Sequence, residues 1–308
     1  MWSTPKGRKG GRGAPSLAGC DRKKNLERAA AFAPVLALLA AAYAVPLGSN
    51  LMKSLQNEAG EYVGLANYAE VLSSYYFLDS LWFTLKLALL TTLAAVGIAV
   101  AAALALRETF VGKKLVLFLF QYNLCVPHMA VAMMMVMLLS QTGVLSSAAY
   151  ALGLTDGAGD FPWLVRDSRG VGIALTFIWK YFPYIGLSAL GVLQGASLEY
   201  EQQAAVLGVG RWRRFFHVLL PRILPAVSFA MIVVFAAAFG EYEIPAILGS
   251  GAHKTLSVMV YMKYCDLSTR SLPQAYAMMV MLSLALMTVI LAFYALTAGG
   301  RRRGHEAV

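Results

Sequence analysis

Six runs of apolar residues, each near the length needed to cross a bilayer, constrain this chain more than any other feature. They cover about Ala29–Leu47, Leu81–Leu106, Leu115–Leu139, Val171–Leu193, Ile223–Phe239 and Gln274–Leu296. A helical span takes about 20 apolar residues, and lipid forces each segment to pair its own backbone polar groups. The expected fold is therefore an all-α integral membrane protein with six transmembrane helices. Composition agrees. The chain is 59% hydrophobic and 14% charged, against roughly 25% charged in a soluble domain.

The cations mark which loops stay inside. Eight Lys and Arg crowd the tail over residues 1–28. Three more (Arg107, Lys113, Lys114) lie between the second and third runs, and four (Arg211, Arg213, Arg214, Arg222) between the fourth and fifth. Arg301, Arg302 and Arg303 close the chain, and the outer segments hold Lys53, Arg166, Arg169, Lys254, Lys263 and Arg270. Cytoplasmic loops carry the excess of Lys and Arg, so both termini are expected inside. The organisation expected is a basic, disordered tail over 1–28, a six-helix domain over 29–297 and a short basic tail over 298–308. Ala42-Tyr43-Ala44 has the look of a signal-peptidase site, but the length of its apolar run and the five runs that follow favour an uncleaved span. The net charge of +10 reflects topology and contact with lipid headgroups. It implies no nucleic acid, because no aromatic residues interleave with the basic ones as in a strand-binding groove.

One polar stretch stands apart, Gly195 to Pro225, GASLEYEQQAAVLGVGRWRRFFHVLLPRILP. Arg211, Arg213 and Arg214 cannot sit together in a bilayer core. Ser197 is a plausible helix N-cap, Leu198, Ala204, Ala205 and Leu207 can share one side of a short helix, and Gly208 and Gly210 break it. Pro221 and Pro225 suit the first turns of the next span. The spacing resembles the EAA loop, E-A-A-x3-G-x9-I-x-L-P, of permease subunits of binding-protein-dependent type I ABC importers. Gln202, Gln203 and Ala204 stand at the E-A-A positions, Gly208 at the glycine, Val218 at the isoleucine and Leu220-Pro221 at the close. Gln202 replaces the usual Glu, and Glu201 supplies a carboxylate one residue earlier.

The resemblance extends beyond the loop. Gly64-Leu65-Ala66-Asn67-Tyr68 with Val71-Leu72, Trp179 to Pro183, and Phe239-Gly240-Glu241-Tyr242-Glu243-Ile244-Pro245 are similar to segments of polyamine-type and related permeases. It implies a subunit that forms the solute path and hydrolyses nothing itself. Its implied partners are two ATP-binding subunits that receive the loop's short helix, a second permease, identical or not, and an extracytoplasmic solute-binding protein. The implied location is the bacterial inner membrane. Leu198, Glu201, Gln202, Ala204, Gly208, Leu220 and Pro221 are the expected ATPase-docking residues.

Candidates for the solute path are Lys180, Glu241, Tyr242 and Glu243. Intramembrane ionisable residues are functional by default. Lys180 either faces a water-filled path or pairs with an acid. The acids would attract a cation such as a polyamine, the favoured solute, while the outer Lys and Arg suit a phosphonate; sugars and iron remain alternatives. His128, beside Pro127, is read as helping to satisfy a carbonyl freed by a proline kink, and Met133 to Met137 as adaptable packing. Cys20, Cys125 and Cys265 suggest neither a disulfide framework nor a metal site, and no cofactor is expected. Gly249 to Thr255 fails as a phosphate-binding P-loop, since His253 and Leu248 occupy glycine positions. The alternative is an ion-coupled secondary transporter, which should show inverted repeats with paired broken helices. A membrane enzyme would need a catalytic constellation.

Overall fold

A computed structural model of the chain describes residues 17–108, 110–195, 197–266 and 272–305, with side chains left out at 17–31, 158, 197–199 and 296–305. Residues 1–52 and 53–308 form separate compact units. The first is occupied by α1 (Leu17–Ser54), whose last residues open the second unit. From Phe32 to Gly48 its side chains are exposed and almost entirely apolar.

The second unit is built from α2 (Ala66–Ser73), α3 (Tyr75–Leu106), α4 (Lys113–Cys125), α5 (His128–Leu139), α6 (Val144–Ala151), α7 (Val171–Leu193), α8 (Ser197–Val206), α9 (Arg211–Arg214), α10 (Leu220–Gly240), α11 (Glu243–Leu248), α12 (Leu256–Tyr264) and α13 (Leu272–His305). Among the described residues, β pairing is limited to one antiparallel bridge between Gln56 and Tyr62. Six helical stretches are long and apolar enough to cross a membrane: Phe32–Ser54, Tyr75–Leu106, His128–Ala151, Val171–Leu193, Arg211–Gly240 and Leu272–Ala295.

Small residues let the central helices approach. Ala88, Ala95, Ala99 and Ala103 line one face of α3, all buried. That face packs along α7, and α10 packs against both. A Cβ on Gly186 of α7 would sit 3.5 Å from Ala99 O. Lipid gives apolar side chains no reason to leave it, so membrane helices associate through this kind of close backbone packing.

The third span departs from expectation. A single helix over Leu115–Leu139 is replaced by α4 and α5, separated at Val126 and Pro127. Val126 is extended (ψ 126°), the conformation that a following proline imposes. Pro127 has no N–H to give Asn123 O, so the α4 helix stops there instead of merely kinking.

The fifth span begins earlier than expected. α9 runs through one π-helical turn, Phe215–Leu219, into α10. The wider turn lies immediately before Pro221, whose missing N–H would interrupt a regular ladder.

Candidate functional site

At one end of α10 the Gly195–Pro225 segment folds as a short helix and a turn. α8 occupies Ser197–Val206. Its end is a Schellman cap: Gly208 N–H donates to Ala205 O at 3.0 Å and Val209 N–H to Ala204 O at 3.1 Å. Gly208 takes φ +78°. A Cβ there would meet no atom of this chain within 4 Å, so within the chain glycine is required by the left-handed backbone and not by crowding.

Two side-chain contacts hold this helix to the spans. Glu201 accepts both Arg107 guanidinium nitrogens, one at 3.1 Å and one closer. Arg107 ends α3, so the pair ties α8 to the second span. The guanidinium of Arg222, in the first turn of α10, stacks over the Tyr200 ring at 3.5 Å. A groove of about 370 Å3 runs between the two elements, lined by Gln203, Ala204 and Leu207 on one side and His217, Pro221 and Arg222 on the other.

The expected docking residues are thus distributed unequally. Gln202 is exposed, Ala204 and Leu220 are half-buried, and Pro221 is exposed at the groove. Glu201 is engaged by Arg107 rather than free. The side chain of Leu198 lies outside the described residues. Val206 and Leu207, by contrast, are 89% and 81% exposed. They form an apolar tip, of which the sequence pattern places Leu207, but not Val206, on the helix face.

The expected path residues gather near the break between α4 and α5, at the far end of α10, whose 21 residues span about 32 Å at 1.5 Å per residue. Lys180 is buried on α7. Its Nζ donates to Asn123 O at 2.8 Å and to Val126 O at 2.5 Å. These carbonyls lie at the end of the broken helix, where Asn123 O otherwise accepts only a long bond from Val126 N–H at 3.4 Å, so Lys180 caps a C-terminus, where a cation is favoured. Asn123 Nδ2 completes the tie by donating to Trp179 O at 2.7 Å.

His128 does not serve the freed carbonyls. Its Nε2 lies 3.7 Å from Glu241 Oε2 and 3.4 Å from the Tyr181 hydroxyl. Tyr181 in turn donates to Glu241 at 3.5 Å. Glu241 also accepts the Glu243 N–H at 3.1 Å through its other oxygen, while its backbone carbonyl accepts Ser257 Oγ. Tyr242 packs on Tyr261 with ring centroids 4.5 Å apart. Glu241 is therefore a junction joining α5, α7, α11 and α12. Among the described residues no group of three His, Cys, Asp or Glu is arranged to hold a metal ion.

The α2 segment, similar to known permeases in sequence, is a latch. Buried Asn67 donates through Nδ2 to Ser54 O at 2.8 Å and Gln56 O at 2.9 Å, and the Tyr68 hydroxyl meets Ser54 Oγ at 2.6 Å.

A multispanning helical protein with a capped surface helix between its fourth and fifth spans has the architecture of an ABC importer permease. Residues 76–303 match the model of the binding-protein-dependent transport system inner membrane component, and the chain belongs to that family. It is a multi-pass protein of the bacterial inner membrane, and a transport subunit, not an enzyme.

Among its relatives is the sn-glycerol-3-phosphate transport system permease protein UgpA of Yersinia pestis bv. Antiqua, 27% identical over 82% of this chain and 88% of the relative. Another is the trehalose transport system permease protein SugA of Mycobacterium tuberculosis, 28% identical over 76% of this chain and 77% of the relative. In fold the chain is similar to a chain of a bacterial ABC transporter that imports the acidic polysaccharide alginate. The TM-score is 0.74 at 17% identity, with 91% of this chain and 98% of the other covered. A second crystal structure of the alginate transporter, in complex with an alginate pentasaccharide-bound periplasmic protein, gives the same TM-score at 18% identity, covering 89% of this chain and 94% of the other. This membership displaces the ion-coupled transporter reading.

Proposed function

We propose that the chain lines the solute path of an ATP-driven importer and is coupled to two ATPase subunits through α8. A second permease completes the path, and an extracytoplasmic binding protein delivers the solute. The observation that carries the coupling role is the exposed apolar tip at Val206 and Leu207, held on a capped helix between two spans. Two neighbouring apolar side chains exposed in a polar loop suit a protein contact, and the Arg107–Glu201 and Arg222–Tyr200 contacts would pass its displacement to α3 and α10. ATP drives transport by stabilising one permease conformation over the other.

For the solute, a sugar or sugar phosphate replaces the polyamine-like molecule suggested by the acids alone. The named relatives carry glycerol phosphate and trehalose. Glu241, the acid with most claim to attract a cation, has both carboxylate oxygens already in contact with groups of this chain.

The test is affinity capture of the tagged, detergent-solubilised protein, native or with Glu199 to Arg214 scrambled. An ATPase subunit recovered only with the native loop is expected. Its absence from both samples, with the protein intact and monodisperse, would refute the coupling role.

A further inference from the structure

Between the loop that precedes α7 and the connection from α11 to α12 lies a cavity of about 320 Å3, large enough to hold a small ligand. Arg166, Ser250, His253 and Lys254 line it beside the apolar Ile173 and Met262. Two features of its wall carry a cost, the backbone of Arg166 and the hydroxyl of Ser250. Arg166 takes φ +57°, which no other non-glycine among the described residues shares in sign; a side chain is strained there. Its N–H donates to Leu248 O at 2.8 Å, which holds the conformation in place. Ser250 Oγ is buried without a hydrogen-bond partner, a condition that usually signals a missing ligand or water.

The charge is one-sided. Neither Arg166 nor Lys254 forms an ion pair within 4 Å among the described residues. No acid lines this cavity among the described residues, and the carboxylates of Asp79 and Asp167 already have partners. Asp79 pairs with His253 Nδ1 at 2.8 Å, and Asp167 accepts the N–H groups of Arg169, Val171 and Gly172. A guanidinium, an ammonium and a hydroxyl around one space match an oxyanion, for which charge-assisted hydrogen bonds are strongest. Lys254 also borders a second cavity of about 530 Å3, where Ser74, Ser80, Asp79, Lys263 and Asp266 offer mixed polar contacts suited to hydroxyl groups.

We propose that this cavity is an anion-binding subsite that takes the phosphate or carboxylate group of a small polar solute. It rests on the importer reading only for what the solute is used for; anion binding is a property of this chain alone.

The test is calorimetric titration of the full chain in phosphatidylcholine nanodiscs with glucose 6-phosphate, galacturonate, inorganic phosphate and uncharged glucose. The three anions are expected to bind and glucose to bind at least tenfold more weakly. Lys254→Gln should raise the dissociation constants for the anions tenfold or more, and Arg169→Gln, outside the cavity, should leave them unchanged. Arg166→Gly removes the guanidinium while relieving the positive φ, so lost binding in that variant cannot be assigned to misfolding. Equal binding by native, Arg166→Gly and Lys254→Gln proteins, or none by the native protein, would overturn the site. Binding abolished by phosphatidylglycerol in the nanodiscs would assign it to a lipid headgroup and overturn the solute. None of these results bears on ATPase capture, so the subsite can fail while the importer reading stands.

Discussion

Replacing Lys180 by Met tests whether this buried cation is part of the solute path or a structural cap. In the native protein its ammonium bonds Asn123 O and Val126 O. A hydrogen bond from a charged donor is worth about 1.5–3 kcal/mol net, and a buried carbonyl left unpaired costs about 1–3 kcal/mol; Asn123 O would keep a long bond from Val126 N–H. Removing the ammonium also relieves its own desolvation, which offsets part of that loss. The expected net destabilisation is about 2–4 kcal/mol, or a fall of about 3–6 °C in the melting temperature of the detergent-solubilised protein, since unfolding entropy grows with chain length. The chemistry also predicts a rescue. With Pro127→Ala, residue 127 regains an N–H that can donate to Asn123 O, four residues earlier, as in a continuous helix. The Lys180→Met penalty should then shrink by at least about 1 kcal/mol, a non-additivity of the size that coupled neighbours show. A Lys180→Met protein that melts like the native one but fails to transport would refute the capping argument and return Lys180 to the path.

Three further outcomes follow from particular contacts. Gly208→Ala forces a side chain into φ +78° and should destabilise the α8 cap by about 1 kcal/mol; amide exchange at Gly208 and Val209 would quicken and transport-coupled ATP hydrolysis would fall, with Gly208→Asn milder. Arg107→Ala and Glu201→Ala should lower coupled hydrolysis alike, with a coupling energy of about 1–3 kcal/mol in a double-mutant cycle. Additive effects would show that the pair does not anchor α8. Gly172→Ala would place a Cβ 1.9 Å from Leu164 O, so it should cost about 1–3 kcal/mol as overpacking, measured by thermal unfolding. An unchanged melting temperature would show that the loop before α7 can move aside.

Much of the α8 loop was legible because its signals are local. Gly208 and the helix before it follow from backbone preference within a few residues, and the motif spacing pointed to the family. The partner of Glu201 was not legible. Arg107 lies ninety-four residues away, and nothing in either neighbourhood announces the other. The same holds for Lys180. An ionisable residue in an apolar run reads as functional, and only the position of α4 against α7 shows that it meets open carbonyls. Pro127 was visible as a disturbance, but whether it would kink or end the helix depended on whether another element could satisfy what it left unpaired.

The sequence by itself determined the class of this protein: membrane-spanning, helical, and built around a capped helix between its fourth and fifth spans. Those properties rest on transfer free energy and backbone conformation, which are summed along the chain. Only the tertiary structure decided that Lys180 caps a broken helix, that Glu241 joins four elements and that Arg166 and Lys254 share a cavity without an acid. Each depends on groups far apart in sequence being brought together, the first two within hydrogen-bond distance in a medium of low dielectric, where the cost of an unpaired polar group is high enough to fix the arrangement.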